Sequence, residues 1–362
     1  MKLVFVWHWE KRFFPNKNDG FYAEDTLIKT IARLREEGED SVIWAVCGDV
    51  ADETEFVSKR QGVAYKLFPS RERLIGAFAG SGADVIFMNH NPAAYDDVLN
   101  AAINTSAKTV VYFSAPIVGC ENFQHIDCYL VHHDCHAQLL EGMGIPSDRI
   151  QVAPKTADMD VFHPDTNVQK RWTCIYPARG GFGYWKRLEL AVEACRVAGV
   201  TLVLPGAEVP RCAPLSPQPI QSFLAYKAHW FWKRLAWRLP FLSLYPWVTI
   251  LPWQSPDEMA ACYNRASCLL ITSNEAEMGP RVIPEAAACN LPIVCCSDSP
   301  ACVSHTRRLG GFIADPSPKA LADCIHEALS KPCRSRAALL EEKLDTWVIY
   351  RVLMGLIKQW TP

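Results

Sequence analysis

The chain has 362 residues, enough for two domains of ordinary size, and its 49% hydrophobic content supports real cores. A formal net charge of -2 excludes the global electrostatic footprint of a nucleic-acid binder. The 15 cysteines are odd in number and scattered, and Cys174, Cys268, Cys295 and Cys296 fall in apolar runs. That pattern points to a reduced, cytosolic protein with buried thiols rather than a disulfide framework, and no spacing matches paired zinc knuckles.

The opening run Leu3–Trp7 is too short for a signal peptide and meets Glu10, Lys11 and Arg12 at once, so it reads as a first buried strand. A helix over Asp25–Glu37 follows, then strands at Ser41–Cys47, Ala83–Asn89, Lys108–Ser114 and Cys128–His132, and a helix over His136–Met143. Apolar runs alternating with helical segments indicate parallel βαβ units and a doubly wound sheet, whose ligands bind beyond the carboxyl ends of the strands. Loops 8–22, 90–95 and 114–123 sit there. The run His132–His136 brings three histidines and Asp134 into one turn, but consecutive donors cannot converge on one ion from a single element. Asp134 is expected as a helix N-cap.

The pattern restarts after a polar segment, Arg149–Pro164. Strands are expected at Trp172–Tyr176, Thr201–Leu204, Val248–Leu251, Cys268–Thr272 and from Ile293. Helices are expected at Lys186–Ala198, Pro256–Arg265, Ala286–Cys289, Ser317–Leu329 and, as one long terminal helix, Glu341–Trp360. From Val209 to Pro256 there is no acidic residue, while Lys227, Lys233, Arg234 and Arg238 are interleaved with Trp230, Phe231, Trp232 and Trp237. Basic residues beside an aromatic face suit an anionic membrane surface, here over 220–247. A helix packed on its own domain, or a lid over an acceptor, suits the pattern as well. No run of about 18 apolar residues exists to span a bilayer.

Glu277-Met-Gly-Pro-Arg-Val-Ile-Pro-Glu285 places two carboxylates on either side of a glycine loop that opens a helix. Unpaired amides at a helix start suit phosphate or sugar oxygens. A carboxylate one turn inside such a helix can accept both hydrogens of a ribose diol, and one before the loop can face the group beyond the phosphates. Pro284 lacks an amide hydrogen and fits only a first helical turn.

This stretch, from Glu277 to Val294, resembles the Glu-x7-Glu signature of the retaining glycosyltransferases called group 1 or family 4, with Asn290 in place of the family's usual glycine. The segment 149–164 resembles that family's hinge, with Asp158, Phe162 and Pro164 in register and Lys155-Thr156 replacing Asn-Gly. Arg179-Gly-Gly-Phe-Gly-Tyr-Trp-Lys186 resembles the segment whose arginine and lysine grip the donor diphosphate. Arg187 stands at a family glycine, where it either joins that grip or points to solvent.

The resemblance implies an α/β, GT-B architecture of two Rossmann-like domains facing a cleft. They are an acceptor domain at 1–165 and a donor domain at 166–340, with the basic aromatic insertion at 208–246. A C-terminal helix at 341–362 crosses back to the first domain, and Trp347 stands where the family often has a tryptophan. The implied activity is hexosyl transfer from a nucleoside-diphosphate sugar to a glycan or lipid-linked acceptor, with retention of anomeric configuration.

In that reading Glu277, Arg179, Lys186 and His90 are catalytic. Glu285 holds the ribose, and Met278, Gly279, Pro280 and Arg281 line the donor pocket. Gly20 lies near the phosphates. With Arg179 and Lys186 neutralising the diphosphate, neither a metal nor another cofactor is needed. The expected location is cytoplasmic or peripheral on the inner face of a membrane. Two other readings remain open, a GT-B sugar-nucleotide epimerase and a degenerate GT-B binding protein. The latter draws on the altered hinge, on Pro284 and on Ser114, which stands where relatives often have a histidine.

Overall fold

A computed structural model describes residues 1–7, 26–90, 96–113, 123–177, 186–206, 245–252 and 254–361, with the side chains of Asn89 and His90 left out. The chain divides into two compact units: Met1–Met159 with Met278–Arg281 and Leu340–Pro362, and Asp160–Glu277 with Val282–Leu339.

The first unit begins with β1 (Lys2–Trp7), α1 (Thr26–Glu36), β2 (Asp40–Val46), β3 (Thr54–Val57), β4 (Ala64–Phe68) and α2 (Arg71–Ala77). It continues through β5 (Val85–His90), α3 (Asp96–Ile103), β6 (Lys108–Phe113), β7 (Cys128–Val131), α4 (Asp134–Gly142) and β8 (Ile150–Val152). The sheet order is β3-β4-β2-β1-β5-β6-β7-β8. All pairs are parallel except β3 with β4. The order reverses between β1 and β5, so this unit's topological switch point opens beyond Trp7 and His90.

Strand β1 is a run of five buried residues, as a strand covered on both faces requires. The expected strands match to within a residue or two. Period-2 reasoning missed β3, β4 and β8, and helical patterning missed α2 and α3. These elements are short, and Asp96–Ile103 presents only Val98, Leu99 and Ala102 to the core. Asp134 is the first helical residue of α4 and not its cap, since His133 holds that position in an extended conformation.

The second unit contains β9 (Trp172–Ile175), α5 (Leu188–Ala198), β10 (Leu202–Pro205), β11 (Val248–Leu251), α6 (Pro256–Arg265) and β12 (Ala266–Ile271). After these come α7 (Val282–Ala288), β13 (Ile293–Cys296), α8 (Pro300–Arg308), β14 (Phe312–Ala314), α9 (Pro318–Ser330) and α10 (Ser335–Glu341), whose last two residues group with the first unit. All pairs in its sheet, ordered β11-β10-β9-β12-β13-β14, are parallel. The order reverses between β9 and β12, which places the switch point beyond Ile175 and Ile271. Cys174, Cys195, Cys268 and Cys296 are free thiols buried in its core.

Local chemistry sets several boundaries here. Ser255 and Glu258 close a capping box at the start of α6, with Pro256 at the first helical position. Helix α7 starts at Val282, so Pro284 lies within its first turn. Its end is a Schellman arrangement, with Leu291 N donating to Ala286 O at 2.9 Å and Asn290 N to Ala287 O at 2.8 Å. Asn290 has φ 57°. Asparagine tolerates this left-handed position, which explains how it replaces a glycine.

The expected helix over Glu341–Trp360 starts later, as α11 (Val348–Trp360), and α10 before it is a separate helix. Lys343 takes φ 54° between them, a conformation that cannot continue a right-handed helix. Within the first unit α11 packs on α1. The Arg33 guanidinium lies 4.7 Å from the Trp347 ring centroid and 4.3 Å from that of Tyr350, and Tyr350 bonds to Glu37. Leu353, Leu356 and Ile357 face Leu3, Phe5, Val85 and Phe87. Burying each of these aliphatic side chains contributes about 1.5–3 kcal/mol relative to leaving it exposed. Among the described residues no helix is long and apolar enough to cross a membrane.

Candidate functional site

The second unit's switch point brings together two of the expected catalytic residues. Lys186 lies just before α5, and Glu277 follows β12. The Lys186 ammonium is paired with Glu277 Oε2, and the two side chains are 24% and 13% exposed. Ser273 Oγ lies 3.4 Å from the same carboxylate oxygen. Glu277 closes a turn by donating its amide to Asn274 O at 3.1 Å. A cation and a carboxylate thus meet at the carboxyl ends of the two central strands, where a sheet of this topology takes its ligands.

The main chain beneath them is held by side chains that sequence reasoning missed. The Tyr176 hydroxyl donates to Lys186 O, and Thr272 Oγ1 lies 2.8 Å from Lys186 O and 2.9 Å from Arg187 O. Arg187 does not point to solvent. Its guanidinium turns onto Asp298 and the carbonyls of Thr272 and Ser273. The expected helix start at Lys186 moves to Leu188 because Arg187 takes a left-handed conformation, φ 47°, at the N-cap. An arginine in place of a glycine was the sequence signal for this correction.

Glu285 lies in the first turn of α7, and the Tyr263 hydroxyl donates to its Oε2 at 2.9 Å. Burial, then the neighbouring Glu285 carboxylate, push the Tyr263 phenol well above its ordinary range, so it keeps its proton and donates. Tyr263 escaped sequence reasoning because it reads as one more core position of α6.

The loop residues Met278–Arg281 group with the first unit. There Gly279 has φ 111°, and an added Cβ would lie 2.7 Å from His133 Nε2. Replacing Gly279 with alanine is expected to lower stability by about 1–3 kcal/mol through backbone strain and overlap. A denaturant midpoint reads this. Adding His133→Ala removes the overlap but not the positive φ, so recovery is expected to be partial.

Around His133 the imidazoles are packed rather than arranged as ligands. His132 is fully buried, its Nδ1 3.4 Å from Ala153 O and its ring edge-on to Tyr112 at 4.6 Å. Burial, helped by the Lys155 charge, lowers His136 to about 4, and burial holds His132 well below its ordinary value. A histidine depressed in the fold stays neutral there and protonates in the unfolded chain. Stability is therefore complete above the unfolded value near 6.5 and drains as pH falls towards 4. For His136 the loss is about 3 kcal/mol. Melting curves between pH 7 and 4.5 check it, and His136→Gln is expected to flatten the dependence.

Other expected site residues lie outside the described residues. Arg179 and Gly20 do, as do Ser114 and the 208–244 part of the basic aromatic insertion. His90 is placed only by its main chain, at the end of β5 and paired with Phe113. Asp158 is buried and accepts from Lys29 Nζ at 2.7 Å.

Residues 242–344 match the family model described as glycosyl transferases group 1. The matched stretch is similar to that family. It includes Tyr263, Glu277 and Glu285, so the pairing of Glu285 with Tyr263 and the carboxylate of the Lys186–Glu277 pair belong to the matched segment. No curated protein matches in sequence. Solved structures match in fold, over almost the whole chain. Sucrose-phosphate synthase from Thermosynechococcus elongatus is 16% identical, with a TM-score of 0.69 over 99% of this chain and 98% of that one. A glycosyltransferase from Rickettsia africae is 15% identical, with a TM-score of 0.70 over 99% and 98%. Anabaena HepE in complex with UDP and glucose is 14% identical, with a TM-score of 0.68 over 99% and 100%. The fold is GT-B, with two Rossmann-like sheets, and the group 1 region lies mostly in the second.

Proposed function

We propose that the chain is a retaining hexosyltransferase that moves a sugar from a nucleoside-diphosphate sugar to a glycan or lipid-linked acceptor. The observation that carries this reading is the Lys186–Glu277 pair at the switch point, with Glu285 at the start of the following helix. Transfer breaks the bond between the anomeric carbon and the leaving phosphate oxygen, which takes the electron pair. The acceptor oxygen forms the new bond to that carbon, and its proton passes to the departing phosphate.

Negative charge grows on the phosphate while positive charge grows on the sugar. A preorganised ammonium at the phosphate and a carboxylate on the sugar side stabilise that separation. In the free protein each group neutralises the other. The donor replaces this pair: the diphosphate takes Lys186, with Arg179 as second cation by resemblance, and Glu277 is released to the sugar. Glu285, oriented by Tyr263, accepts the ribose hydroxyls. The two cations stand in for a metal clamp.

Uracil is the base favoured by likeness, since HepE has been solved with UDP and with UDP-glucose. The test is a thermal-shift panel of UDP-, GDP-, ADP- and CDP-sugars, because a ligand that binds only the native state raises its apparent stability. One base is expected to shift the melting temperature, most strongly as its sugar conjugate. No shift with any of them would remove the donor reading. Contact of 220–247 with a membrane carrying the acceptor is tested by liposome flotation. Trp230 and Trp237 variants that float like the wild type would refute it.

A further inference from the structure

Arg187 has a side chain that the proposed chemistry does not use and a backbone that favours glycine. A left-handed conformation is disfavoured for any residue with a Cβ, so an arginine with φ 47° must be held by its surroundings. It is held by four bonds from three nitrogens. Nε donates to Thr272 O at 2.6 Å, Nη1 to Asp298 Oδ2 at 2.7 Å, and Nη2 to Asp298 Oδ1 at 2.7 Å and Ser273 O at 3.1 Å. The planar fork therefore ties the start of α5 to the ends of both β12 and β13, which a single ammonium could not do.

The tie is reciprocal. The side chain of residue 187 holds the carbonyls of 272 and 273, while the hydroxyl of Thr272 holds the carbonyls of 186 and 187. The two segments that carry Lys186 and Glu277 are thereby locked to each other beneath the ion pair. We propose that Arg187 is a positioning residue that fixes the spacing between the Lys186 cation and the Glu277 carboxylate, and so the register of a donor's diphosphate against its sugar. This rests on the donor-site reading above, although the clamp itself can be measured without any ligand.

The experiment uses the full chain as wild type, Arg187→Gly and Arg187→Lys. Glycine accepts the left-handed backbone, so the Gly variant removes the clamp while relieving strain. Lysine keeps the charge but loses the fork. Hydrogen exchange of the segment 272–277 and the UDP dissociation constant by calorimetry are read on each protein. Both variants are expected to exchange that segment faster, and to bind UDP weaker by about tenfold or more. The Lys variant is expected not to restore wild-type values. Turnover in donor hydrolysis, per folded molecule, is expected to fall further than UDP affinity does, because misregister acts on the transition state.

Unchanged exchange and unchanged UDP affinity in Arg187→Gly would overturn the proposal, as would full rescue by lysine. A wild type that binds no UDP while the variants still loosen 272–277 would count against the choice of donor and leave the clamp standing. Should the Gly variant fail to fold, the Lys variant decides by the same two measurements.

Discussion

Replacing Lys186 with alanine is expected to lower donor turnover by about 10²–10³-fold, the loss seen when one preorganised donor to a developing oxyanion is removed. The argument is local. Lys186 is a cation at the second unit's switch point, and its side chain meets Glu277 after β12. Its main-chain carbonyl is fixed by Tyr176 and Thr272, so the ammonium needs little reorganisation when charge develops. The variant also strips Glu277 of its counter-charge, leaving Ser273 Oγ at 3.4 Å. Single-turnover kinetics with saturating donor check the effect on the bond-breaking step. Arginine at 186 keeps the charge but changes reach, and is expected to recover only part of the rate. A variant that keeps wild-type turnover would show that the pair is structural.

Glu285→Ala and Glu277→Ala are expected to separate binding from chemistry. Loss of Glu285 removes charge-assisted bonds to the ribose, about 1.5–3 kcal/mol, or roughly 10–150-fold in affinity for the nucleoside diphosphate. It also leaves the buried Tyr263 hydroxyl without its carboxylate partner, which adds a stability loss of about 1–3 kcal/mol. Adding Tyr263→Phe to Glu285→Ala separates that second effect, since no unpaired hydroxyl then remains. Glu277→Ala, by contrast, frees Lys186 for the diphosphate. It is expected to leave nucleoside-diphosphate affinity unchanged or tighter while turnover falls. Calorimetry with UDP beside steady-state kinetics distinguishes the two patterns. Equal affinity in wild type and Glu285→Ala would withdraw the ribose assignment.

Much of the fold was legible because buried parallel strands are apolar runs that need no partner to be recognised. Leu3–Trp7 and Cys268–Thr272 are examples, and both units' central strands lie where the alternation of strand and helix placed them. The glutamate pair was legible for a similar reason, since a glycine loop opening a helix is a local feature. What the sequence withheld depends on which strands become neighbours. Arg187 meets Asp298 and Thr272 only because β9, β12 and β13 are adjacent, and no spacing along the chain encodes that. Tyr263 is hidden in the same way, being core by pattern and a carboxylate partner by topology. The break between α10 and α11 depends on one backbone angle at Lys343, to which helical periodicity is blind. β3 and β4 were missed because their pairing, with Lys66 set between Glu53 and Glu55, relies on cross-strand charges as well as apolar alternation.

The central claim is that the Lys186–Glu277 pair opens to admit a diphosphate. A crystal structure of the protein with UDP-glucose, or with the nucleotide sugar that the thermal panel selects, tests it most directly. The account predicts the diphosphate within hydrogen-bonding distance of Lys186 Nζ, the ribose hydroxyls on Glu285, and Glu277 turned from the lysine to the sugar. Density for the nucleotide away from the second switch point, or Lys186 still bound to Glu277 with the ligand in place, would contradict it.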